Sequence, residues 1–412
     1  MRRPSAEWGC AEVLEIAREL SYAAGSLRWR SSKSTGVVQQ LPTITIQESE
    51  LLKPTYARRG FLPETDPLAA FPSGSPYAAL DEIGRDLTSL LYDKGFRIYA
   101  RALRIPKWEE PISEMTLPQL RLYYVRVGFL ASAYVNQVGQ EPATSLPRNL
   151  AEPLTNAAKR LRRPPILSYD GYALYNWKRF RKDGPIALGN IDTIQNFVHL
   201  YDEHWFILVH VEIEAIAADI LRAIATIKRR LMDDNAADLS ADLWRIEKAM
   251  RRQVEVLKRI PEHMDSKLYY KTFRPYIRFF ENVTYEGIDQ TPMQFRGETG
   301  AQSSIMPTLV AFMKIPHQRS VLTDHLVDMR RYMPAKHRAL IEEVEAMPDI
   351  RSSMHKEAYN AVLEAMAAFR RVHYSWAEEY INRWTDDPRG TGGTPYMQWL
   401  RQMLDETEAH SL

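Results

Sequence analysis

One cysteine, Cys10, occurs in 412 residues, so no intramolecular disulfide can form. The same scarcity excludes zinc fingers, zinc deaminases and c-type heme attachment, all of which need paired thiols. It suits a reducing cytoplasm. No H-E-x-x-H run is present, and no histidine has a Glu three residues before it. A zincin site and the helical di-iron carboxylate pattern are therefore excluded. There is no G-x-S-x-G elbow. The glycine-rich stretch RGTGGTPY (389–396) fails as a dinucleotide fingerprint, because Pro395 occupies the third glycine position. It also lacks the lysine of a P-loop.

Charge of one sign is lacking too. Lys and Arg number 54 against 52 Asp and Glu, a net charge of +2, which gives no field for nucleic acid or an anionic membrane. The most apolar stretch, 205–227, carries Glu212, Glu214, Asp219 and Arg222, so it reads as a buried helix and not a membrane span. Charges interrupt the N-terminal stretch where a signal peptide would be apolar. The expectation is a soluble cytoplasmic protein that binds neither nucleic acid nor membrane.

What is present is helical periodicity. Residues 1–75 are irregular and rich in Pro, Ser and Gly, with a short candidate strand in 36–47. From about 76 the pattern becomes helical. Proline clusters at 141–153 and 162–169 and a turn at 183–190 punctuate it. After about 195 helices are expected over 197–232, 239–260, 266–282, 302–313, 319–331, 335–346, 355–385 and 395–408. No repeat and no strand–helix alternation is visible, so the fold class is mainly α.

Two histidines interrupt apolar helix faces. Val362, Met366, Phe369, His373, Trp376 and Tyr380 recur at steps of three and four. Phe206, His210, Ile213 and Ala217 do the same on another helix. Taken singly, each histidine reads as a core residue bonded to a backbone carbonyl. The pair His210/Glu214 makes only a weak metal site. Together the two histidines permit a flat apolar cofactor between helices, with one imidazole as an iron ligand.

Several stretches, in order, resemble the indoleamine 2,3-dioxygenase family: RRPPILSYDGYALYNW (162–177), FRPYIRFFENVTYEG (273–287), FRGETGAQSS (295–304), DMRRYMPAKHR (328–338), FRRVHYSWAEEYI (369–381) and GTGGT (390–394). The resemblance runs from about 145 to the C-terminus. It implies a small N-terminal domain, 1–195, covering the distal pocket, and a large all-helical heme domain, 196–412, with a mobile loop at 386–395. His373 falls on the proximal ligand of heme b and Arg370 on an arginine near a propionate. Arg274 falls on the arginine that grips the substrate carboxylate, and Phe206 on an aromatic residue that packs against the indole. Tyr169, Tyr172, Tyr269, Thr299 and Gly300 fall on pocket positions. Thr391, in the glycine-rich loop, falls near the substrate ammonium.

The chain departs from the family pattern at several positions. His210 stands where animal indoleamine enzymes carry Ser, and DEHWFILVH is similar to the tryptophan 2,3-dioxygenase pattern, whose distal histidine receives the indole N–H. Tyr172 stands where Cys is frequent, Tyr269 and Tyr270 where a Phe pair is usual, and Glu298 where Gly is usual. The implied function is O2-dependent opening of the indole C2–C3 bond of L-tryptophan or a close indole amino acid, giving N-formylkynurenine. An electron donor would reduce the iron, and a monomer is expected. Two alternatives stay open: a related heme oxygenase of a modified tryptophan in secondary metabolism, and a non-catalytic heme or O2-binding protein.

Overall fold

Thr116 opens the most enclosed helix through a capping box. Its hydroxyl accepts from the Gln119 N–H at 3.4 Å, and the Gln119 side chain accepts from the Thr116 N–H at 2.9 Å. In the computed structural model the described residues are 49–106, 115–233, 238–317, 320–384 and 395–412. The candidate strand in 36–47, the loop 386–394 and Thr391 lie outside them.

The helices in chain order are α1 (Pro54–Arg59), α2 (Ala79–Leu90), α3 (Phe96–Ala102), α4 (Leu117–Val135), α5 (Arg148–Leu161), α6 (Tyr201–Met232), α7 (Ser240–Lys258), α8 (Ile305–Phe312), α9 (Val321–Arg330), α10 (Ala335–Glu345), α11 (Lys356–Tyr380) and α12 (Tyr396–Glu408). Strands are short: β1 (Ser145–Leu146), β2 (Trp177–Arg179), β3 (Ile191–Thr193), β4 (Phe280–Tyr285) and β5 (Met293–Phe295). β4 pairs with β1 in parallel and with β5 antiparallel, while β2 and β3 form a hairpin. The fold is mainly α, as the periodicity implies.

Residues 49–412 belong to one compact unit with two apolar cores. The first surrounds α4, which is apolar around nearly its whole circumference and buried throughout from Leu122 to Val135. The second lies where α6, α7 and α11 pack side by side. Phe206 packs against both cores. The long α6 therefore runs past the junction, and its residues 203–214 face both.

The expected helix 266–282 does not form as one element. A short α-turn at Ser266–Leu268 passes into a π-helical turn, Tyr269–Phe273, then a 3-10 turn, Arg274–Ile277, and then β4. Pro275 has no N–H to give and clashes with the preceding turn, so a regular α-ladder stops there. The residues beyond it, FENVTY, carry the aromatic and β-branched side chains of a strand.

Candidate functional site

The described residues singled out in the sequence come from five separate segments, the fifth being the turn at Thr299 and Gly300. His210 and Phe206 lie on α6, and His373 and Arg370 on α11. Tyr172 lies on a π-helical turn, Asp170–Leu174, with Tyr169 just before it. Tyr269 lies on the second π-helical turn, and Arg274 follows it. Such turns widen a helix and re-aim its side chains, and they recur at functional sites.

An aromatic wall centres on Phe206. Its ring lies 4.6 Å from the His210 ring, 5.4 Å from Tyr269, 6.1 Å from Phe273 and 6.3 Å from Tyr172. Tyr169 stands edge-on to His210 at 6.0 Å. Tyr269 in turn meets Tyr380 of α11 at 5.9 Å.

His210 bonds through Nδ1 to the Phe206 carbonyl at 2.7 Å. A carbonyl only accepts, so Nδ1 carries the proton and Nε2 keeps its lone pair. Burial lowers the His210 pKa, so the ring is neutral. His373 differs. It has no hydrogen-bond partner among the described residues, and its side chain retains open surface although protein encloses it. Burial first, then the charges of His210 and Arg370, lowers it to about 4. The charge of His210 reaches His373, so the two imidazoles of α6 and α11 lie within electrostatic range of one another. Trp376 and Tyr380 hold α11 in place by donating to the Leu257 carbonyl at 3.0 Å and the Met264 carbonyl at 2.9 Å.

Two buried arginines lack carboxylate partners among the described residues. Arg370 donates to the Met403 carbonyl, and burial lowers it to about 10. Arg274 is 5 % exposed and lies over the Tyr270 ring at 5.1 Å. It acts on the Tyr269 hydroxyl by hydrogen bond and charge, while its Nε has no partner. A buried cation without a bonded carboxylate is costly, so each fits an anion supplied from outside the chain, with Glu406 within charge range of Arg370.

Three buried carboxyl groups frame the wall, and the sequence marked none of them as a site residue. Glu203 accepts from the Phe197 and Val198 N–H groups and from the Tyr172 hydroxyl at 3.1 Å. Glu214 accepts from the Tyr169 hydroxyl at 2.8 Å and the Ser303 hydroxyl at 2.6 Å. Desolvation raises both to about 7. Glu298 is 3 % exposed and is raised to about 8 by desolvation alone. Gln302 was also missed. It accepts from the Tyr169 N–H at 2.9 Å and donates to the Gly297 carbonyl at 2.9 Å, tying the tyrosine turn to the Glu298 loop. Thr299 uses its hydroxyl to accept from the Ala301 N–H. A methyl group added at Gly300 would meet nothing within 4 Å.

An unpartnered imidazole, a buried arginine one turn earlier on the same helix and an aromatic wall on α6 are groups that fit a flat anionic cofactor in a helical protein. The Indoleamine 2,3-dioxygenase family model matches residues 55–410, and the chain belongs to that family. The match begins well before residue 145, where resemblance first became visible in the sequence. Indoleamine 2,3-dioxygenase 1 of Rattus norvegicus is 30 % identical over 320 residues, covering 70 % of this chain and 79 % of the relative. Indoleamine 2,3-dioxygenase of Saccharomyces cerevisiae is 28 % identical, covering 85 % and 91 %. The 6-hydroxytryptophan 2,3-dioxygenase fscD of Fusarium equiseti is 24 % identical, covering 84 % and 94 %. The family is heme-dependent, and the chain is an oxidoreductase, a dioxygenase acting on tryptophan or a modified tryptophan. No helix among the described residues is long and apolar enough to cross a membrane.

Proposed function

We propose that the chain binds heme b and opens the indole C2–C3 bond of L-tryptophan or a close indole amino acid with O2, releasing N-formylkynurenine. The observation that carries this reading is the pair of imidazoles on α6 and α11, one with its lone pair directed by a fixed tautomer and one with no partner among the described residues. When bound, heme iron supplies the activation of O2.

His373 holds the iron. Burial keeps its ring neutral, which is the ligating form. Arg370, three residues earlier on α11, pairs with a propionate, and its charge-assisted bonds replace the missing carboxylate. Arg274 grips the substrate carboxylate through its free donor. Phe206 packs against the indole, and Tyr169, Tyr172, Tyr269, Thr299 and Gly300 enclose the rest. His210 accepts the indole N–H at Nε2. It serves to orient the ring, because the indole N–H is too weak an acid to need a base there. By family resemblance the Thr391 hydroxyl serves the amino-acid end. Holding the ring in one pose removes an entropic barrier that reaches several kcal/mol in well-oriented reactions. An electron donor that keeps the iron reduced, a monomeric chain and a cytoplasmic location complete the reading.

The test is mass spectrometry of the heme-loaded, ascorbate-reduced protein given L-tryptophan and 18O2. A product carrying two labelled oxygens supports the reading, and no product overturns it for tryptophan. A modified tryptophan is the second reading. The polar Tyr172 and Glu298 beside the wall favour it, and the same assay with hydroxylated tryptophans decides between them.

A further inference from the structure

Of the three buried carboxyl groups at the site, two accept hydrogen bonds, with one Glu214 oxygen left unpartnered. Glu203 accepts from two backbone N–H groups and Tyr172, and Glu214 from Tyr169 and Ser303. Glu298 has neither a hydrogen bond to its carboxyl group nor an ion pair among the described residues, although it is 3 % exposed. The Tyr169 and Tyr172 hydroxyls lie close enough to feel its charge, but their protons are given to Glu214 and Glu203. The Tyr269 hydroxyl feels it as well, and that hydroxyl also meets Arg274. The Glu298 N–H donates to the Ile277 carbonyl at 3.0 Å, so the backbone that carries this unpaired acid lies against the turn Arg274–Ile277 that carries the unpaired cation. They do not form an ion pair with each other.

We propose that Glu298 binds the ammonium group of the amino-acid substrate, so that Arg274 and Glu298 form the two ends of a clamp for a zwitterion. This rests on the reading of Arg274 as the carboxylate site. An ammonium group brings three donors into a dry pocket and needs acceptors there. Glu298 is a buried acceptor with no partner for its carboxyl group among the described residues. The family usually carries Gly at this position, so the clamp is a property of this chain. A ligand ammonium beside Glu298 favours its ionised form and offsets the desolvation that holds its proton.

The experiment is calorimetric titration of the heme-loaded protein with L-tryptophan, with indole-3-propionate, which lacks the ammonium, and with 5-hydroxy-L-tryptophan. Wild type is compared with Glu298→Gln, which keeps the volume, and the Soret band of each protein shows that the site is formed. The expected result is at least about a tenfold loss of affinity for L-tryptophan in Glu298→Gln, with indole-3-propionate unchanged, the size of one lost charge-assisted hydrogen bond. Equal losses for both ligands, or no loss for either, overturn the assignment. A loss confined to 5-hydroxy-L-tryptophan overturns it in favour of a ring-hydroxyl contact. Wild type that binds none of the three overturns the parent reading and the clamp together. Wild type that binds tryptophan beside an unaffected variant overturns the clamp alone.

Discussion

Tyr169 donates its phenolic proton to Glu214 at 2.8 Å, and so the orientation of a pocket tyrosine is set from the helix that carries His210. The same carboxyl oxygen receives the Ser303 hydroxyl at 2.6 Å, while the other oxygen has no partner. Glu214→Ala orphans one buried and one half-buried hydroxyl and should destabilise the fold by about 1–3 kcal/mol. Glu214→Gln keeps an acceptor and should cost less. Urea unfolding of the two variants checks the difference. Equal losses would mean that the hydroxyls find other partners.

The two histidines should separate cleanly in heme titration. His373→Ala should lose stable heme, measured by the Soret band after desalting. His210→Ala should retain heme and bind L-tryptophan more weakly. Loss of heme in the His210 variant alone would reverse the assignment of the two rings.

Arg274→Ala should keep heme and raise KM for L-tryptophan by about tenfold or more, since a charged hydrogen-bond donor to the carboxylate is lost in a dry site. Steady-state kinetics decide it, and an unchanged KM removes Arg274 from the binding site.

The periodic part of the site was readable in the sequence. His210 and His373 each break an apolar stripe at helical spacing, and both helices form where that spacing places them. Arg274 was readable only through its motif. It sits where the backbone passes from a π-turn to a 3-10 turn, and no periodicity marks such a junction. Glu203 and Glu214 were not readable as wall supports, because a buried carboxyl group looks like a solvated one until its partners are known. Those partners, Tyr172, Tyr169 and Ser303, are 31, 45 and 89 residues away in the chain. Gln302 links two quoted motifs, but only the fold shows that they touch.

Stability of the heme-free protein should peak at about pH 5 and fall on both sides. Glu203 and Glu214 are raised to about 7 and Glu298 to about 8, against 4.5 when unfolded. The folded state holds these protons more tightly, so stability is lost as pH rises from 4.5 through 7 and 8. His325 and His337 are lowered to about 4 and about 3, against 6.5 when unfolded. The folded state releases these protons, so stability is lost as pH falls below 6.5. Thermal unfolding from pH 4 to 9 tests the profile, and Glu298→Gln should flatten its alkaline arm. A profile rising steadily to pH 9 would contradict the burial of the three acids.

Two glycines of one loop should respond oppositely to the same change. A Cβ at Gly297 would lie 2.3 Å from the Ile277 carbonyl oxygen and 2.4 Å from the Arg278 carbonyl carbon, both backbone atoms that cannot swing aside. Gly297→Ala must push the Glu298 loop off β4 and its preceding turn, and should cost about 1–3 kcal/mol, the range of an overpacked core. The displacement also strains the Gln302 bridge to the Gly297 carbonyl, so tryptophan binding should weaken together with stability. At Gly300 the added methyl meets nothing within 4 Å, and Gly300→Ala should leave urea stability within about 0.5 kcal/mol of wild type. Any effect there should fall on ligand affinity alone, because the methyl enters space that the described residues leave open. Paired urea melts and tryptophan titrations separate the two cases. A Gly300→Ala protein as unstable as Gly297→Ala would show that the open space is needed for folding and does not belong to the substrate.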